Sequence, residues 1–296
     1  MLNRRKFLGY AGAVLLAPAI HSAHAGAARA GAVRFAVIDW AMLETALAIG
    51  AVPVAATELV QYRKMALDPQ PPASVTDLGL RGAPNLELLR IISPDLIVSS
   101  NFYEFERVSF EHVAPVFALP VFVPGQPSLP LLQDAASKLG HKLGREAEAQ
   151  TLIAACEAEI AATRQRFSGM AERKTFLISL GDSRHFRAFG PDSLFGDVLQ
   201  RLGFENAWTG GTDYSAAAPV GLEQLARAPD ASIVVIGPTE EETLRRLPQN
   251  ALWNALPAVR EGRAVFLPAL DHFGGLPTAR RFLRLLTQHW PEHAGG

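Results

Sequence analysis

The sequence contains very little cysteine. Cys156 is the only one among 296 residues, so the chain cannot form an internal disulfide and is not a small domain held together by disulfides. Ile153 and Ile160 share its helical face, which predicts a buried core residue rather than a nucleophile. Because no cysteine lies near the N-terminus, we also expect a protein that is not lipidated.

Excess charge and paired histidines are lacking as well. The formal net charge is -1, so no basic surface for a nucleic-acid partner is predicted. The eight histidines are scattered without ligand spacing, which argues against a site for a bare metal ion. The length of 296 residues and the 49% hydrophobic content suffice for two domains or one large one.

The N-terminal apolar run, residues 7–20, is too short to span a membrane. It covers about 14 residues, broken by two glycines and a proline, whereas a span needs roughly 20. Three basic residues precede it and Ala-His-Ala at 23–25 follows, which predicts a signal peptide over residues 1–25. RRKFLG at 4–9 favours the twin-arginine export route over the general secretory one. We therefore expect a soluble periplasmic protein.

The mature chain alternates short apolar strands with helices of about ten residues, a pattern typical of a parallel or mixed α/β sheet. The predicted strands are 34–39, 52–57, 96–100, part of 110–119, 121–123, 174–180, 231–237 and 264–269. The predicted helices outside the middle of the chain are 40–51, 85–93, a short one at the start of 110–119, 193–203, 221–228, 250–262 and 277–290.

Between the two alternating halves, residues 129–170 show almost no strand pattern. One helix is predicted to end near Gly140, and another covers 145–167, which at 1.5 Å per residue spans roughly 35 Å. The sequence thus predicts an N-terminal α/β lobe over 31–128, a helical linker over 129–170 and a C-terminal α/β lobe over 171–296. A ligand cleft between the lobes is the expected site.

Four motifs in a fixed order give the chain a family resemblance from Arg34 to Arg284. They are DLGLRGAPNLELLRIISPDLIV, FGPDSLFGDVLQRLGFENAW, VGLEQLA and ALWNALPAVREGR. The chain resembles the periplasmic siderophore-binding proteins of ABC importers, and most closely the ferric hydroxamate-binding family. The resemblance implies two α/β lobes joined by one long rigid helix, the class III architecture. It also implies an Fe(III)-siderophore ligand, delivery to an inner-membrane ABC permease, a monomer, and neither catalysis nor a cofactor.

Arg81 and Tyr103 are the main candidate ligand contacts. Arg81 lies in the turn of GLRGAPNLELL, and its planar guanidinium suits the negatively charged oxygens of a chelate. The alternative is a loop arginine paired with Asp77. Tyr103 follows the strand LIVSS, beyond its carboxyl end, where α/β folds place ligands. The resemblance implies that both side chains contact the chelate; a core aromatic is the alternative for Tyr103.

The rest of the predicted cleft departs from the family, whose hydroxamate-binding members line it with several tryptophans. At or near those positions this chain has Met65, Ser99, Ser215, Asp271 and His272. Aromatic character is kept at Tyr62, Tyr214 and Phe273. The predicted ligand-binding set is therefore Arg81, Tyr103, Tyr62, Tyr214, Ser215, His272 and Phe273.

The identity of the cargo stays open at this point. A chelate of different shape or polarity, a catecholate or carboxylate chelate, haem and vitamin B12 are the alternatives on the same fold. No side chain is predicted to ligate iron directly, although Tyr103 with His272 suits ferric iron and is kept as a hypothesis. The simpler interpretation of His272 is a loop histidine paired with Asp271.

Two acidic residues are candidate permease contacts. Glu87 and Glu223 each open a predicted helix, where the helix dipole favours a carboxylate. The resemblance implies that an acidic residue at each position meets arginines of the permease.

An esterase is the remote alternative, because LGDSRH at 180–185 resembles a Gly-Asp-Ser nucleophile block, with Asp271 and His272 near the C-terminus. That block normally opens its domain, and its Asp and His are normally two residues apart.

Overall fold

A computed structural model describes residues 33–65, 67–170, 174–212 and 219–290. The predicted signal peptide, Tyr214 and Ser215 lie outside these residues, so the predictions made for them are not tested by the structure. Within the described ranges, no helix is long and apolar enough to cross a membrane.

The first lobe is built on a parallel sheet of five short strands. These are β1 Phe35–Val37, β2 Ala55–Ala56, β3 Thr76–Asp77, β4 Leu96–Ser100 and β5 Val116–Leu119. Their order is β3-β2-β1-β4-β5. β1 and β4 are buried along their whole length, as expected for a parallel sheet covered on both faces. The strand order reverses between β1 and β4, and α/β sheets bind ligands beyond the carboxyl ends at such a reversal.

The second lobe is built on a mixed sheet. Its strands are β6 Lys174–Leu180, β7 His185–Ala188, β8 Glu205–Asn206, β9 Val220–Gly221, β10 Ser232–Gly237 and β11 Ala264–Ala269. The order is β11-β10-β6-β7-β9, with β8 paired to β6. β7 runs antiparallel to both of its neighbours, and sequence analysis missed it. Its four residues follow a tight turn and alternate exposed and buried side chains too briefly to be recognised.

Eleven α-helices surround the sheets in the described part of the chain. They are α1 Trp40–Ala48, α2 Leu59–Lys64, α3 Leu86–Ile92, α4 Arg107–Glu111, α5 Ser128–Leu143, α6 Glu146–Arg166, α7 Leu194–Arg201, α8 Glu241–Arg246, α9 Ala251–Ala255, α10 Pro257–Arg260 and α11 Leu276–His289. Short 3-10 helices cover Asn101–Glu106, Ser168–Met170, Leu222–Arg227 and Leu247–Gln249. The segment at 221–228, predicted as an ordinary helix, is one of these 3-10 turns.

The helical linker is longer at its first helix than predicted. α5 does not end near Gly140 but continues to Leu143, and Gly144 closes it with φ of 64°. Gly140 lies inside the helix. The position suits a glycine because a side chain there would collide with Ala149, near the start of α6. α6 has 21 residues, about 32 Å at 1.5 Å per residue, and packs against both α5 and α11.

One apolar core joins the two sheets. It includes Val37 of β1, Val98 of β4, Val234 of β10 and Phe282 of α11, and α1 packs directly against α11. Cys156 of α6 is buried in the same core, as predicted, and burial raises the pKa of its thiol to about 12. The two-sheet α/β architecture expected from the sequence is confirmed, whereas the domain boundaries stay a prediction. A core shared by both lobes resists large movements of one lobe against the other.

Candidate functional site

Polar side chains follow four neighbouring strands of the first sheet. Asp39 comes after β1, Glu58 after β2, Arg81 after β3 and Tyr103 after β4. Because parallel strands present their carboxyl ends at the same edge, the topology gathers these residues at one place. Asp271 follows β11 of the second sheet. Its carboxylate contributes to the electrostatic surroundings of Arg81 and Tyr103, so it belongs to the same site. The site therefore draws on both lobes.

Arg81 is held in a fixed orientation by two neighbours. Its Nε lies 2.7 Å from Oε2 of Glu58, and its backbone N–H donates to Oε1 of the same carboxylate at 3.2 Å. Its Cζ lies 3.9 Å from the centroid of the Trp40 ring, a cation–π contact. The alternative interpretation paired Arg81 with Asp77. The structure does not show this pair, because the Asp77 carboxylate accepts from the N–H groups of Val60 and Gly79. Within the described residues, the two Nη amines of Arg81 have no hydrogen-bond partner.

Glu58 adopts a backbone conformation that is unusual for a residue with a side chain. Its φ of 51° and ψ of 38° lie in the left-handed region, which costs roughly 1–2 kcal/mol. Its N–H donates to the carbonyl of Gly79 at 2.7 Å, so the residue holds the Arg81 loop by both backbone and side chain. Strain of this kind is characteristic of functional sites.

Tyr62 packs in the core against Trp40 and does not line the site. The side chain is fully buried, its ring lies edge-on to Trp40 at 5.2 Å, and its hydroxyl donates to the carbonyl of Pro69 at 2.9 Å. The prediction that Tyr62 contacts the ligand is therefore wrong, because α2 turns that face toward the core. Ser99 is likewise buried in β4, and Met65 packs against the core.

The Arg81 guanidinium is surrounded by carboxylates. Burial alone would lower its pKa, but Asp271, Tyr103, Glu58 and Asp39 together raise the pKa above its ordinary value. Arg81 is thus a permanent cation. Asp39 itself is buried, accepts from the Ser100 hydroxyl at 2.7 Å, and has its pKa raised by that burial.

Tyr103 is a hydrogen-bond donor. It is half-buried in the 3-10 helix Asn101–Glu106, and its hydroxyl has no partner in the described part of the chain. Burial, with a further contribution from Asp39, raises the pKa of the phenol, so the proton stays on the oxygen. A phenolate ligand to iron is disfavoured by the same effects. Direct coordination by Tyr103 and His272 therefore stays a hypothesis.

The segment after β11 supplies the other wall. Phe273 is 38% exposed, and its ring lies 5.3 Å from that of Phe102. His272 instead packs edge-on against Phe189 at 4.9 Å, and burial lowers the pKa of its imidazole to about 4. In the described ranges no hydrogen bond joins His272 to Asp271, the pairing expected from the sequence. Across the same ranges, no cluster of three or more histidine, cysteine, aspartate or glutamate side chains could hold a metal ion.

Glu87 and Glu223 are exposed, one on each lobe. Glu87 lies in the first turn of α3, where Asn85 caps the helix by accepting from the Leu88 N–H at 2.9 Å. Glu223 lies in the first turn of the 3-10 helix Leu222–Arg227. Neither carboxylate forms an ion pair or hydrogen bond to another described residue. Both are available to a partner.

The Gly-Asp-Ser segment forms a structural turn. Asp182 accepts from the N–H groups of Arg184 and His185 at 2.6 and 2.8 Å, and its carboxylate also pairs with the His185 ring at 3.0 Å. The carbonyl of Ser183 accepts from Asn250 at 2.7 Å. Asp182 and His185 thus close the turn between β6 and β7, and among the described residues no hydrogen bond joins the Ser183 hydroxyl to a base.

Sequence analysis missed three residues that shape the site, namely Trp40, Glu58 and Asp39. A usable signal was present, because each lies within three residues of the carboxyl end of a first-lobe strand. The rule that parallel sheets bind ligands at that edge would have selected them. Their contacts with Arg81 depend on the tertiary fold and could not be inferred from spacing.

Comparison with known proteins assigns the chain to a family. The chain is 32% identical over 239 residues to the iron(3+)-hydroxamate-binding protein FhuD of Escherichia coli K12, covering 81% of this chain and 80% of the relative. It is 27% identical over 191 residues to the Fe(3+) dicitrate-binding periplasmic protein FecB of the same organism, covering 62% of this chain and 60% of that relative. The fold matches the siderophore-binding protein FhuD of Vibrio cholerae, solved with Fe3+-Desferal, at a TM-score of 0.81 and 24% identity, over 88% of this chain and 98% of that one. The family profile for periplasmic binding proteins matches residues 36–270, and the chain belongs to the periplasmic binding protein family.

Proposed function

We propose that this protein captures a ferric siderophore of the hydroxamate type in the cleft between its lobes and delivers it to an inner-membrane ABC permease. The observation that carries the proposal is the fixed position of the Arg81 guanidinium. Glu58 and Trp40 hold this group, and its two Nη amines remain without a partner among the described residues. A preformed donor of this kind suits an anionic oxygen of the ligand.

The chemistry of a ferric hydroxamate fits this arrangement. Three hydroxamates fill the coordination sphere of the iron, so the protein needs to supply hydrogen bonds to their oxygens rather than metal ligands. Arg81 and the protonated hydroxyl of Tyr103 provide such donors, and exposed Phe273 offers apolar surface to the organic part of the chelate. Iron is here the cargo, and no resident cofactor is required.

Family membership makes the protein a binding component of a transport system and not an enzyme. Among the relatives, the one with 32% identity is named for iron(3+)-hydroxamate, which favours that class over catecholate or carboxylate chelates, haem and vitamin B12. We further propose that the protein acts as a monomer in the periplasm, exported by its 1–25 signal peptide, with the paired arginines directing the twin-arginine route.

A fluorescence titration tests the proposed cargo. Trp40 lies against Arg81, so a ferric chelate bound there is expected to quench tryptophan emission in a saturable way. Ferric desferrioxamine B is compared with ferric enterobactin, ferric citrate, haemin and cyanocobalamin, with the iron-free chelators as controls. Saturable, tightest quenching by the ferric hydroxamate is the expected result. Tighter binding of haemin, cobalamin or a non-hydroxamate chelate would contradict the proposal.

The hydroxyl of Tyr103 is expected to contribute to ligand binding without supporting the fold. Tyr103→Phe should weaken ferric hydroxamate binding about three- to tenfold, the loss of one net hydrogen bond of about 0.5–1.5 kcal/mol. Unfolding stability should be unchanged, because the hydroxyl bonds to no described residue.

Tyr62→Phe is the matched control for this prediction. It removes a hydroxyl that donates to the Pro69 carbonyl inside the core, so it should lower stability and leave affinity unchanged. The same titrations monitor the visible spectrum for a tyrosinate-to-iron band. A band that disappears in Tyr103→Phe would support direct coordination, and its absence in the wild-type complex would rule that hypothesis out.

Permease docking is proposed for Glu87 and Glu223. The double variant Glu87→Arg/Glu223→Arg should lower siderophore-dependent uptake in cells without changing ligand affinity, because both carboxylates are exposed on opposite lobes. Glu241→Arg is the control, since this glutamate is also exposed in the first turn of a helix. Unchanged uptake by the double variant would refute the docking role.

A further inference from the structure

Asp271 carries a buried acceptor that no residue in the described part of the chain satisfies. The residue is 4% exposed, and its Oδ1 accepts from the backbone N–H of Phe273 at 3.2 Å. Its Oδ2 is buried and has no partner among the residues that the structure describes. Buried polar atoms are almost always paired, and an unpaired one costs about 1–3 kcal/mol. An unpaired acceptor in the electrostatic surroundings of Arg81 and Tyr103 indicates a donor that arrives with the ligand.

The charge around the cleft sets the sign of that donor. Three carboxylates, those of Asp39, Glu58 and Asp271, contribute to the electrostatic surroundings of the Arg81 guanidinium. Glu58 already pairs with the Nε of Arg81. Carboxylates therefore outnumber cations, and a chelate with a high negative charge would be repelled. A neutral ferric tris-hydroxamate that also carries a cationic group complements the site.

The two lobes provide different ends of the cleft. Arg81 and Tyr103 come from the carboxyl edge of the first sheet and donate hydrogen bonds, whereas Asp271 comes from the end of β11 and accepts them. Phe273 follows Asp271 by two residues and contacts Phe102 of the first lobe. This apolar pair suits a methylene chain that leads from the iron centre toward Asp271.

We propose that Asp271 is a specificity-determining residue that accepts a hydrogen bond from a protonated amine on the ligand, so the protein prefers ferric hydroxamates with a free amine. The proposal rests on the proposed hydroxamate function and names the ligand subclass. Charge-assisted hydrogen bonds to a buried carboxylate are worth more than neutral ones, so a preference of tenfold or more is expected.

The test compares two ligands that differ only at the amine. Ferric desferrioxamine B carries a free terminal amine, and its N-acetyl derivative does not. The wild type should bind the amine form at least tenfold more tightly. Asp271→Asn should lose this preference and bind the two forms alike.

Each outcome bears on a distinct claim. Equal binding of the two ligands by the wild type, or a preference that persists in Asp271→Asn, would overturn the role of Asp271 and leave the hydroxamate function intact. Failure of both ligands to bind the wild type would instead refute the hydroxamate function itself. The wild-type comparison needs no variant, so the proposal is testable even if Asp271→Asn fails to fold.

Discussion

Replacing Arg81 with alanine is expected to weaken ferric hydroxamate binding by about ten- to a hundredfold. The substitution removes a charged donor whose hydrogen bonds are worth about 1.5–3 kcal/mol, and every 1.4 kcal/mol corresponds to a factor of ten. The loss should be large because Glu58 and Trp40 already hold the guanidinium in place, so the wild type loses little side-chain entropy on binding. Isothermal titration with ferric desferrioxamine B measures the change.

Two variants separate this effect from general damage. Arg81→Lys keeps the charge but loses the planar fork, so its affinity should fall between those of the wild type and Arg81→Ala. Arg201→Ala removes an arginine that pairs with Asp197 at 2.9 Å on α7, and its affinity should match the wild type. If Arg81→Ala binds as tightly as Arg201→Ala, Arg81 is not a ligand contact.

Glu44 is expected to control how the stability of the protein depends on pH. The side chain is buried on α1 and reaches the start of α11, where it accepts from the N–H of Gly275 and from the hydroxyl of Thr278 at 2.9 Å. Gly275 has no room for a side chain, because a Cβ there would lie 2.8 Å from Oγ1 of Thr45. Glu44 therefore links a helix of the first lobe to the helix that closes the second.

The pKa of Glu44 gives the direction of the effect. Burial, with a further contribution from Asp271, raises the pKa from 4.5 to about 8. The folded state therefore binds one more proton than the unfolded state between these values. The stability that protonated Glu44 contributes is complete below about pH 4.5 and is lost as the pH rises through about 8. The ionised form costs on the order of a few kcal/mol at alkaline pH.

Glu44→Gln should remove this part of the pH dependence. Glutamine reproduces the neutral acid, since its oxygen can accept from Gly275 and its amide can donate to Thr278. Urea unfolding at pH 5, 7 and 9 should show the variant gaining stability relative to the wild type as the pH rises. Glu87→Gln, at an exposed position, should follow the wild type at all three values. A constant difference between Glu44→Gln and the wild type would contradict the raised pKa.

The sequence predicted those features that depend on local pattern. The strand at 96–100 and the helix at 145–167 were found because one begins with three consecutive apolar residues after a turn and the other is long and periodic. The predicted helix at 85–93 starts within one residue of α3, where Asn85 caps the helix by accepting from the Leu88 N–H. The position of Tyr103 beyond the carboxyl end of a strand was predicted in the same way, whereas Arg81 was selected from its turn and the family resemblance.

The features that sequence analysis missed depend on contacts between distant segments. The left-handed backbone of Glu58 is stabilised by Gly79 and Arg81, more than twenty residues away. Tyr62 was assigned to the cleft because it is aromatic, but α2 is rotated so that the ring packs against Trp40. The bond from Glu44 to Thr278 joins residues 234 positions apart. Periodicity carries no information on such pairs, so only the fold reveals them.

We propose that a ferric hydroxamate lies at the carboxyl edge of the first sheet, held by Arg81 and Tyr103. Anomalous diffraction at the iron absorption edge from crystals of the ferric desferrioxamine B complex would locate the metal. One iron peak is expected in the cleft, with hydroxamate oxygens within hydrogen-bond distance of the Arg81 Nη amines and the Tyr103 hydroxyl and no protein atom bound to the metal. An iron peak elsewhere, or one coordinated by protein side chains, would contradict this proposal.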